Sequence, residues 1–559
     1  MKLWLWIVAA VFVVAAGAAG FVYLNPNAVM MLVVQMSKPH VEPNHEVAWA
    51  RGPDEAMQGE RPPNIVLILA DDMGYNDITF NGGGIAGGAV PTPNIDSIGR
   101  DGVAFLNGYD GNATCAPSRA AIMTGRYPTR FGFEFTPAPV AFQKKVGTEH
   151  AQDDFVLPQF FADRVKDMPQ GTTEGAAAVN NLAVPVSEIM IPNVLKAKGY
   201  HTIHFGKWHI GGGPGTRPEE KGFDESLGFM SGGSMYLPEN DPDVVNSKQD
   251  WDPIDKFLWP SLTYAVQFNG SERFAPNGYM TDYLTDEAVN AIKANRNRPF
   301  FMYFAPNAIH TPLQAPKADY DALPQIKDHR LRVYGAMARN LDRNIGRILQ
   351  ALKEEGLEKN TLVIFSSDNG GAGYIGLPDV NKPYRGWKAT FFEGGIHSPF
   401  FMRWPATLPS NTRYPFPVAH VDIFATAAAA AGASTPADRV IDGVNLLPYI
   451  LGKNPERPHQ NLYWRSGQYK TVLDGDWKLQ SSEAIKRVWL FDLAHDPTEQ
   501  HDLSAAEPER VKTMLATLAS LDGQMVKPLW PSLLQGPEFI DHPSNVAQKK
   551  GEDYIIWDN

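Results

Sequence analysis

Uninterrupted apolar runs recur along the chain and predict buried β-strands. The first run covers residues 64–70, and further runs cover 200–205, 299–305 and 361–367. Runs without polar alternation are typical of strands that are buried on both faces, as in a parallel sheet covered by helices. We therefore predict that these four segments belong to one mostly parallel sheet.

Helical periodicity occupies the stretches between those runs. One helix is predicted over 281–294 and another over 420–431, ahead of Gly432. A further helix ends before Gly356, a residue type that commonly stops helices, and its apolar stripe consists of Leu341, Ile345, Ile348, Leu349 and Leu352. The alternation of strands and helices predicts an α/β fold, with a large domain whose central sheet is flanked by helices.

The pattern changes after residue 455. Short strands are predicted at 462–464, 470–473 and 477–479, with Asp474 and Gly475 as a hairpin turn. Ser504 and Glu507 have the spacing of a capping box for a helix that runs to residue 521. The predicted organisation is a main domain over 64–455, a small C-terminal subdomain of antiparallel strands and a helix over 456–545, and a tail over 546–559.

The N-terminus contains an uncharged apolar segment over residues 3–23, preceded by Lys2. Its length is near the ~20 residues that span a bilayer and exceeds the usual core of a signal peptide. A cleaved signal peptide and an uncleaved membrane anchor both remain open for 1–36, ahead of a polar linker over 37–63. Either alternative predicts export, to the periplasm or the extracellular side.

Two stretches interrupt the α/β pattern: 137–183, with many polar, Pro and Gly residues, and 232–276, which is rich in Pro and Asp. Long loops of this kind are lids or binding loops, or they elaborate the surface. The second stretch contains Trp251, Phe257 and Trp259, whose rings can stack on an aryl or sugar ring or simply pack against the protein.

Composition and charge exclude some functions. Of 559 residues, 43% are hydrophobic and 20% are charged, which is ordinary for a globular protein. The formal net charge of −12 lacks the basic excess that a nucleic-acid-binding protein shows. It also disfavours long polyanionic substrates, unless a local basic pocket overrides the field of the whole protein.

Oxygen-bearing side chains follow two of the predicted strands. Asp71 and Asp72 follow the run 64–70, and Asp368 and Asn369 follow the run 361–367. If these strands are neighbours, three carboxylates and an amide converge at the carboxyl end of the sheet. Two bare carboxylates about 4 Å apart repel by roughly 4 kcal/mol at an effective dielectric constant of about 20, so three require a cation. Oxygen ligands favour Ca²⁺ or Mg²⁺.

Cys115 is the only cysteine of the chain, so neither an internal disulfide nor a thiolate metal cluster can form. It begins the segment Cys-Ala-Pro-Ser-Arg, which ends at Arg119 and is followed by Thr-Gly-Arg at 124–126. Residues 118–124 favour a helix with Pro117 near its start. Cys115 is then expected at a helix N-terminus, where free N–H groups favour anions.

These residues resemble the signature of the type I sulfatases, in which this cysteine is oxidised to formylglycine. Other segments match the same family: Gly-Lys-Trp-His at 206–209, Lys388 five residues before Glu-Gly-Gly at 393–395, and His310 before Thr-Pro-Leu. Many members of the family have proline where this chain has Ile309.

The resemblance implies an alkaline-phosphatase-like α/β fold and hydrolysis of sulfate esters. A formylglycine-generating enzyme converts Cys115, and the hydrated aldehyde attacks sulfur as a covalent nucleophile. By the same resemblance a divalent metal, usually calcium, is held by Asp71, Asp72, Asp368, Asn369 and Cys115. The sequence leaves magnesium open.

The resemblance also assigns roles to basic residues. Arg119 and the metal favour ionisation of the hydrate, and Lys207 helps to hold it. His310 and Lys388 bind sulfate oxygens, and one of them protonates the leaving alcohol of a sulfated small molecule or saccharide. His209 takes the proton of the second hydroxyl, so that the aldehyde re-forms and sulfate leaves.

Two other functions fit the same residues. A phosphonate monoester or phosphodiester hydrolase would share the formylglycine, the metal and the fold. A binding protein that contacts the membrane through its N-terminus would keep the metal and the anion pocket without turnover, and it requires Cys115 to remain a thiol.

Overall fold

The computed structural model describes residues 39–55, 59–148, 156–173 and 176–559. The predicted signal peptide or anchor over 1–36 lies outside the described residues. Within those ranges, no helix combines the length and the apolarity that crossing a membrane requires.

Strands and helices alternate through most of the chain, as the sequence predicts. In chain order the described strands are β1 Asn64–Ala70, β2 Val103–Phe105, β3 Gly108–Tyr109, β4 Gln159–Phe160, β5 His201–Lys207, β6 Glu225–Phe229, β7 Val244–Ser247, β8 Gln267–Phe268, β9 Phe300–Ala305, β10 Leu313–Pro316, β11 Thr361–Ser367, β12 Phe400–Arg403, β13 Thr412–Tyr414, β14 Val418–Ala419, β15 Asn461–Ser466, β16 Tyr469–Asp474, β17 Trp477–Ser482, β18 Arg487–Asp492, β19 Leu534–Phe539 and β20 Tyr554–Asp558.

The longer described helices are Pro93–Arg100, Cys115–Thr124, Val140–Val146, Ile191–Lys196, Pro253–Ser261, Met280–Ala294, His329–Glu354, Val421–Ala430 and Pro508–Asp522. Single helical turns cover Ile85–Gly88, Lys317–Asp321, Glu393–Ile396 and Leu447–Ile450. The helices predicted over 281–294 and 420–431 are thus present, and so is the one that contains the apolar stripe. Gly356 and Gly432 adopt left-handed conformations, with φ of 71° and 64°, beyond the ends of two of them.

A nine-stranded sheet lies at the centre, with the order β13-β2-β12-β11-β1-β9-β5-β6-β8. The four predicted strands, β11, β1, β9 and β5, are consecutive neighbours and run parallel to one another. The α/β fold with a mostly parallel central sheet is therefore confirmed. Because parallel strands end at the same edge, the residues that follow these four strands meet there.

Both faces of the sheet are covered. Ile65, Leu67 and Leu69 of β1 join a core with the helix Cys115–Thr124 and the helix Val421–Ala430. Val66 and Ile68 point the other way, into a core with Met280–Ala294 and His329–Glu354. Successive side chains of a strand alternate between faces, which explains why β1 is apolar without interruption.

The C-terminal part contains the predicted antiparallel sheet, with the order β15-β16-β17-β18, and a helix. Two local predictions are wrong. The helix begins at Pro508 with Glu507 at the N-cap and without a capping side chain, because proline is favoured at the first helical position. The hairpin loop is one residue later than predicted, since Asp474 pairs with Trp477.

The stretch 546–559 contains a strand, β20. β20 pairs with β19, and β19 pairs with β4, which lies in the stretch 137–183. The end of the chain is thereby joined to one of the two stretches that interrupt the α/β pattern. The domain bounds given above stay a prediction.

Candidate active site

The acidic residues lie at the carboxyl ends of β1 and β11, as expected for neighbouring parallel strands. Ala70 and Ser367 are directly paired in the sheet, so Asp71 and Asp72 lie beside Asp368. All three carboxyl groups are buried. The Asp72 N–H donates to Asp368 Oδ1 at 3.1 Å, which ties the two strand ends together.

Asp71 is neutralised by Lys207 and faces Arg119. Lys207 is the last residue of β5, and its Nζ donates to both Asp71 oxygens at 2.9 and 2.8 Å. Arg119 Nη2 lies 3.4 Å from Asp71 Oδ1 and 2.7 Å from Asp368 Oδ2. Burial raises the pKa of Asp71 to about 7, while Lys207 opposes the shift. Removing a carboxylate from water in this way makes a cationic partner necessary.

Asp72 has the largest number of polar contacts in the site. It adopts φ of 57°, and its carboxylate accepts hydrogen bonds from Lys388 at 2.8 and 2.9 Å, from Asn369 Nδ2 at 2.8 Å and from Tyr374 OH at 3.0 Å. Burial by itself would raise the pKa of Asp72, but the ammonium group of Lys388 lowers it below its usual range. Asp72 is therefore ionised, and it collects cations and donors.

Cys115 is the first residue of the buried helix Cys115–Thr124, as the sequence predicts, and Gly125 follows with φ of 67°. Its Sγ lies 3.1 Å from Lys388 Nζ and 3.7 Å from Asp72 Oδ1. Burial raises the pKa of the thiol to about 12, although Lys207 and Lys388 oppose the shift. A thiol that stays protonated at neutral pH is a poor nucleophile, so these surroundings do not activate an unmodified cysteine.

His310 presents one ring nitrogen to the site. Its Nδ1 lies 2.6 Å from the Thr311 carbonyl oxygen, which can only accept, so Nδ1 carries the proton. The Nε2 lone pair then faces Asp72 Oδ2 at 3.6 Å. Burial lowers the pKa of His310 to about 3, which leaves the ring neutral.

His209 lies in the same electrostatic neighbourhood. Its ring is buried, and Nδ1 has no hydrogen-bond partner among the described residues. Burial lowers its pKa, and the positive charges of Lys207 and Arg119 act in the same direction. A Cβ at Gly232 would come within 2.7 Å of His209 Nε2, so the ring needs a glycine beside it.

The ligand atoms at the centre fit a divalent cation. Atoms of Asp71, Asp72, Cys115 and His310 lie within 4.8 Å of one another. The Oδ1 atom of Asn369 is buried and has no hydrogen-bond partner in the described part of the chain, which is costly unless a cation or a donor binds it. Asp368 already accepts hydrogen bonds from Arg119 and Asp72, and it keeps further lone pairs. The oxygens favour a hard cation such as Ca²⁺ or Mg²⁺.

The structure thus brings together the residues that the sequence analysis nominates for metal binding and catalysis, with His209 related to the others through their charges; their individual roles stay predictions. It adds Tyr374, which lies in the glycine-rich loop after β11 and hydrogen-bonds Asp72, and Tyr303 of β9, whose OH lies 3.3 Å from Arg119 Nη1. No motif distinguishes these tyrosines from others in the chain. The only sequence signal is the position of Tyr374 five residues after Asn369.

Comparison with known proteins gives a consistent answer. The family model described as Sulfatase matches residues 63–433. The N-acetylgalactosamine-6-sulfatase of Mus musculus is 34% identical over 439 residues, which cover 76% of this chain and 72% of that protein. The uncharacterized sulfatase YdeN of Escherichia coli (strain K12) is 31% identical, over 72% of this chain and 68% of that protein.

Among solved structures, Ps i-CgsB in complex with k-i-k-neocarrahexaose is 31% identical with a TM-score of 0.68, covering 84% of this chain and 95% of that chain. The match of the family model over most of the chain agrees with the convergence of Cys115, the carboxylates and the lysines. The chain belongs to the sulfatase family and is a sulfuric ester hydrolase.

Proposed function

We propose that this hydrolase removes sulfate from saccharides and that formylglycine at position 115 is its nucleophile. The observation on which the proposal depends is the position of Cys115, at a buried helix N-terminus within 3.7 Å of Asp72 and 3.1 Å of Lys388. A saccharide substrate is supported by the names of two relatives, an N-acetylgalactosamine-6-sulfatase and a protein crystallised with k-i-k-neocarrahexaose.

The charges of the site suit an anionic substrate. The carboxylates of Asp71, Asp72 and Asp368 face the cations Arg119, Lys207 and Lys388, so the protein groups balance when all are ionised. A divalent cation held by Asp71, Asp72 and Asn369 would add net positive charge and polarise a sulfate oxygen. The N-terminus of the helix that begins at Cys115 adds a partial positive charge on the same side.

Roles for four of the basic residues follow from their surroundings. Formylglycine at position 115 would supply a hydrated aldehyde as the nucleophile toward sulfur, with the sugar hydroxyl as the leaving group. Lys388 places its ammonium group beside position 115 and can bind a sulfate oxygen there. Arg119 and Lys207 are fully buried against carboxylates, so they orient Asp368 and Asp71. His209 is buried and neutral, and its Nδ1 has no partner among the described residues, so it can accept a proton.

Mass spectrometry of protein from the native host tests the nucleophile. The tryptic peptide 101–119 contains Cys115 and reacts with a hydrazide if formylglycine is present. A peptide that still titrates with a thiol reagent, from protein without turnover, contradicts the proposal and favours the inactive binding protein.

Parallel turnover tests the reaction. We expect kcat/KM for 4-nitrophenyl sulfate and for galactose 6-sulfate to exceed the values for bis(4-nitrophenyl) phosphate and for a phenylphosphonate ester. Preference for the phosphorus esters would establish the alternative hydrolase. Turnover of the aryl sulfate without any sulfated saccharide in a broad panel would remove the saccharide from the proposal.

A further inference from the structure

An exposed indole lies at the edge of the candidate active site. Trp251 lies in the stretch 232–276, and 38% of its surface is exposed. Its Nε1 donates to the Tyr374 carbonyl oxygen at 3.1 Å, and the Tyr374 hydroxyl donates to Asp72 at 3.0 Å. Tyr374 therefore links the Trp251 indole to the Asp72 carboxylate.

The other aromatic residues of the stretch are used for packing. Trp259 is only 6% exposed and donates its Nε1 hydrogen to Asp255. Phe257 packs on Phe142 with ring centroids 4.9 Å apart. Of the three residues that the sequence nominates for ring stacking, Trp251 is the most exposed.

Arg330 lies over the Trp251 ring, with its guanidinium carbon 4.6 Å from the ring centroid. Among the described residues, its buried Nε and Nη1 atoms have no hydrogen-bond partner, and the guanidinium makes no ion pair. Other arginines with such a buried nitrogen bind a protein oxygen through a different nitrogen: Arg119 through Nε to Asp368, Arg126 to Glu188, Arg403 to Glu358, and Arg61 to the Arg298 carbonyl oxygen. Buried donors left unpaired are costly and call for an explanation.

Gly376, in the loop that contains Tyr374, lies close to both Arg330 and Trp251. It adopts φ of 71°, and a Cβ there would lie 2.5 Å from Arg330 Nη1 and 2.9 Å from Trp251 Cζ2. The backbone after β11 thus meets both side chains. The neighbouring acid, Asp252, does not compete for Arg330, because its carboxylate accepts the N–H groups of Ile254 and Asp255 at its own helix start.

We infer that Trp251 and Arg330 form a subsite for a second anionic group of the substrate, a sulfate or a carboxylate on the sugar next to the one that loses its sulfate. A guanidinium binds such planar or tetrahedral anions through several N–H groups, and an indole provides a face for a sugar ring. The inference rests on the proposed saccharide sulfatase function and specifies its substrate class.

Competition against 4-nitrophenyl sulfate tests the subsite. The inhibitors are pairs of disaccharides that differ by one anionic group: galactose-based disaccharides with one or two sulfates, and monosulfated disaccharides with or without a uronic acid. We expect the wild-type protein to bind at least one dianionic member about tenfold more tightly than its monoanionic partner. Whether the preferred group is sulfate or carboxylate identifies the natural anion.

Arg330→Gln should reduce that preference to within about twofold, and Arg332→Gln, on the same helix, is the matched control and should retain it. Arg330→Lys should retain part of the preference, since it keeps the charge without the fork. The inference is wrong if no pair shows a preference in the wild type, or if Arg330→Gln leaves the preference unchanged. If wild-type protein that contains formylglycine showed no turnover of the aryl sulfate, that result would instead contradict the proposed function itself.

Discussion

Lys388 donates to both carboxylate oxygens of Asp72, at 2.8 and 2.9 Å, although 316 residues separate the two in the chain. The same ammonium group lies 3.1 Å from Cys115 Sγ. One cation therefore joins a predicted metal ligand to the predicted nucleophile. The backbone N–H of Lys388 donates to the Gly371 carbonyl oxygen. This hydrogen bond attaches the segment that contains Lys388 to the loop after β11.

Replacing Lys388 by Met should reduce kcat for 4-nitrophenyl sulfate by about 100-fold or more, because a preorganised charge beside the reacting atoms is lost. Lys382→Met, at an exposed position nearby in the sequence, is the control and should behave as wild type. Peptide 101–119 should still contain formylglycine in both variants. A Lys388→Met rate within threefold of the wild type would remove the residue from the site.

Cys115→Ser should abolish repeated turnover, since a serine has one hydroxyl and cannot expel sulfate by re-forming an aldehyde. A single round of sulfate transfer can still occur. Intact-protein mass spectrometry after incubation with the aryl sulfate would then show a stable sulfo-ester on the chain. Multiple turnover at the wild-type rate is the result that the aldehyde mechanism cannot accommodate.

Asp368→Ala should lower metal content and rate together. The carboxylate orients Arg119 through bonds of 2.9 and 2.7 Å and accepts the Asp72 N–H, and loss of such support typically costs about 10–100-fold in metal affinity or activity. Elemental analysis of the purified protein, beside aryl sulfate kinetics, measures both effects. Asp379→Ala, on an exposed loop, is the control. Full metal content in Asp368→Ala would exclude Asp368 from the ligand set.

Lys478→Met should destabilise the fold rather than the chemistry. Lys478 of β17 is fully buried, 2.7 Å from Glu393 and 3.0 Å from Glu499, so its loss leaves two buried carboxylates without their cation. Removing one partner of a buried ion pair costs about 3–5 kcal/mol. Lys470→Met, which removes a more exposed lysine of β16, should cost about 1 kcal/mol or less. Urea denaturation compares the two, and equal losses would contradict the expectation.

Asp77 should make stability depend on pH. Burial raises its pKa to about 7, while hydrogen bonds from Tyr334 and from the Gly74 N–H oppose the shift. An unfolded aspartate ionises near pH 4, so between these values the folded state binds more protons than the unfolded state. The contribution of Asp77 to the free energy of unfolding therefore decreases as pH rises from about 4 to 7.

In Asp77→Asn the amide oxygen can still accept both hydrogen bonds. The decrease in stability with rising pH should disappear. Urea denaturation of both proteins at pH 5, 6, 7 and 8 measures the difference in unfolding free energy. Across that pH range, the free energy of unfolding of the variant should rise relative to that of the wild type by a few kcal/mol, since each pKa unit corresponds to about 1.4 kcal/mol. A constant difference would show that Asp77 is ionised in the folded protein throughout.

The sequence alone determined the strands of the site and the residues that follow them. Apolar runs predicted β1 and β11 with the observed bounds, because burial on both faces favours apolar side chains at successive positions. The motif around Cys115 predicted the nucleophile and its place at the start of a helix. The strands and the start of the helix depend on residues that are close together in the chain, so the local sequence pattern predicts them.

Only the tertiary structure decided which side chains meet. The order β11-β1-β9-β5 brings the acids to one edge of the sheet, and the loop after β11 places Tyr374 on Asp72 and Trp251 beside Arg330. Trp251, Phe257 and Trp259 look equivalent in the sequence, yet two are packed and one is exposed. The physical reason is that contacts between segments far apart in the chain depend on how whole strands and helices pack, and no local pattern of residues encodes that packing.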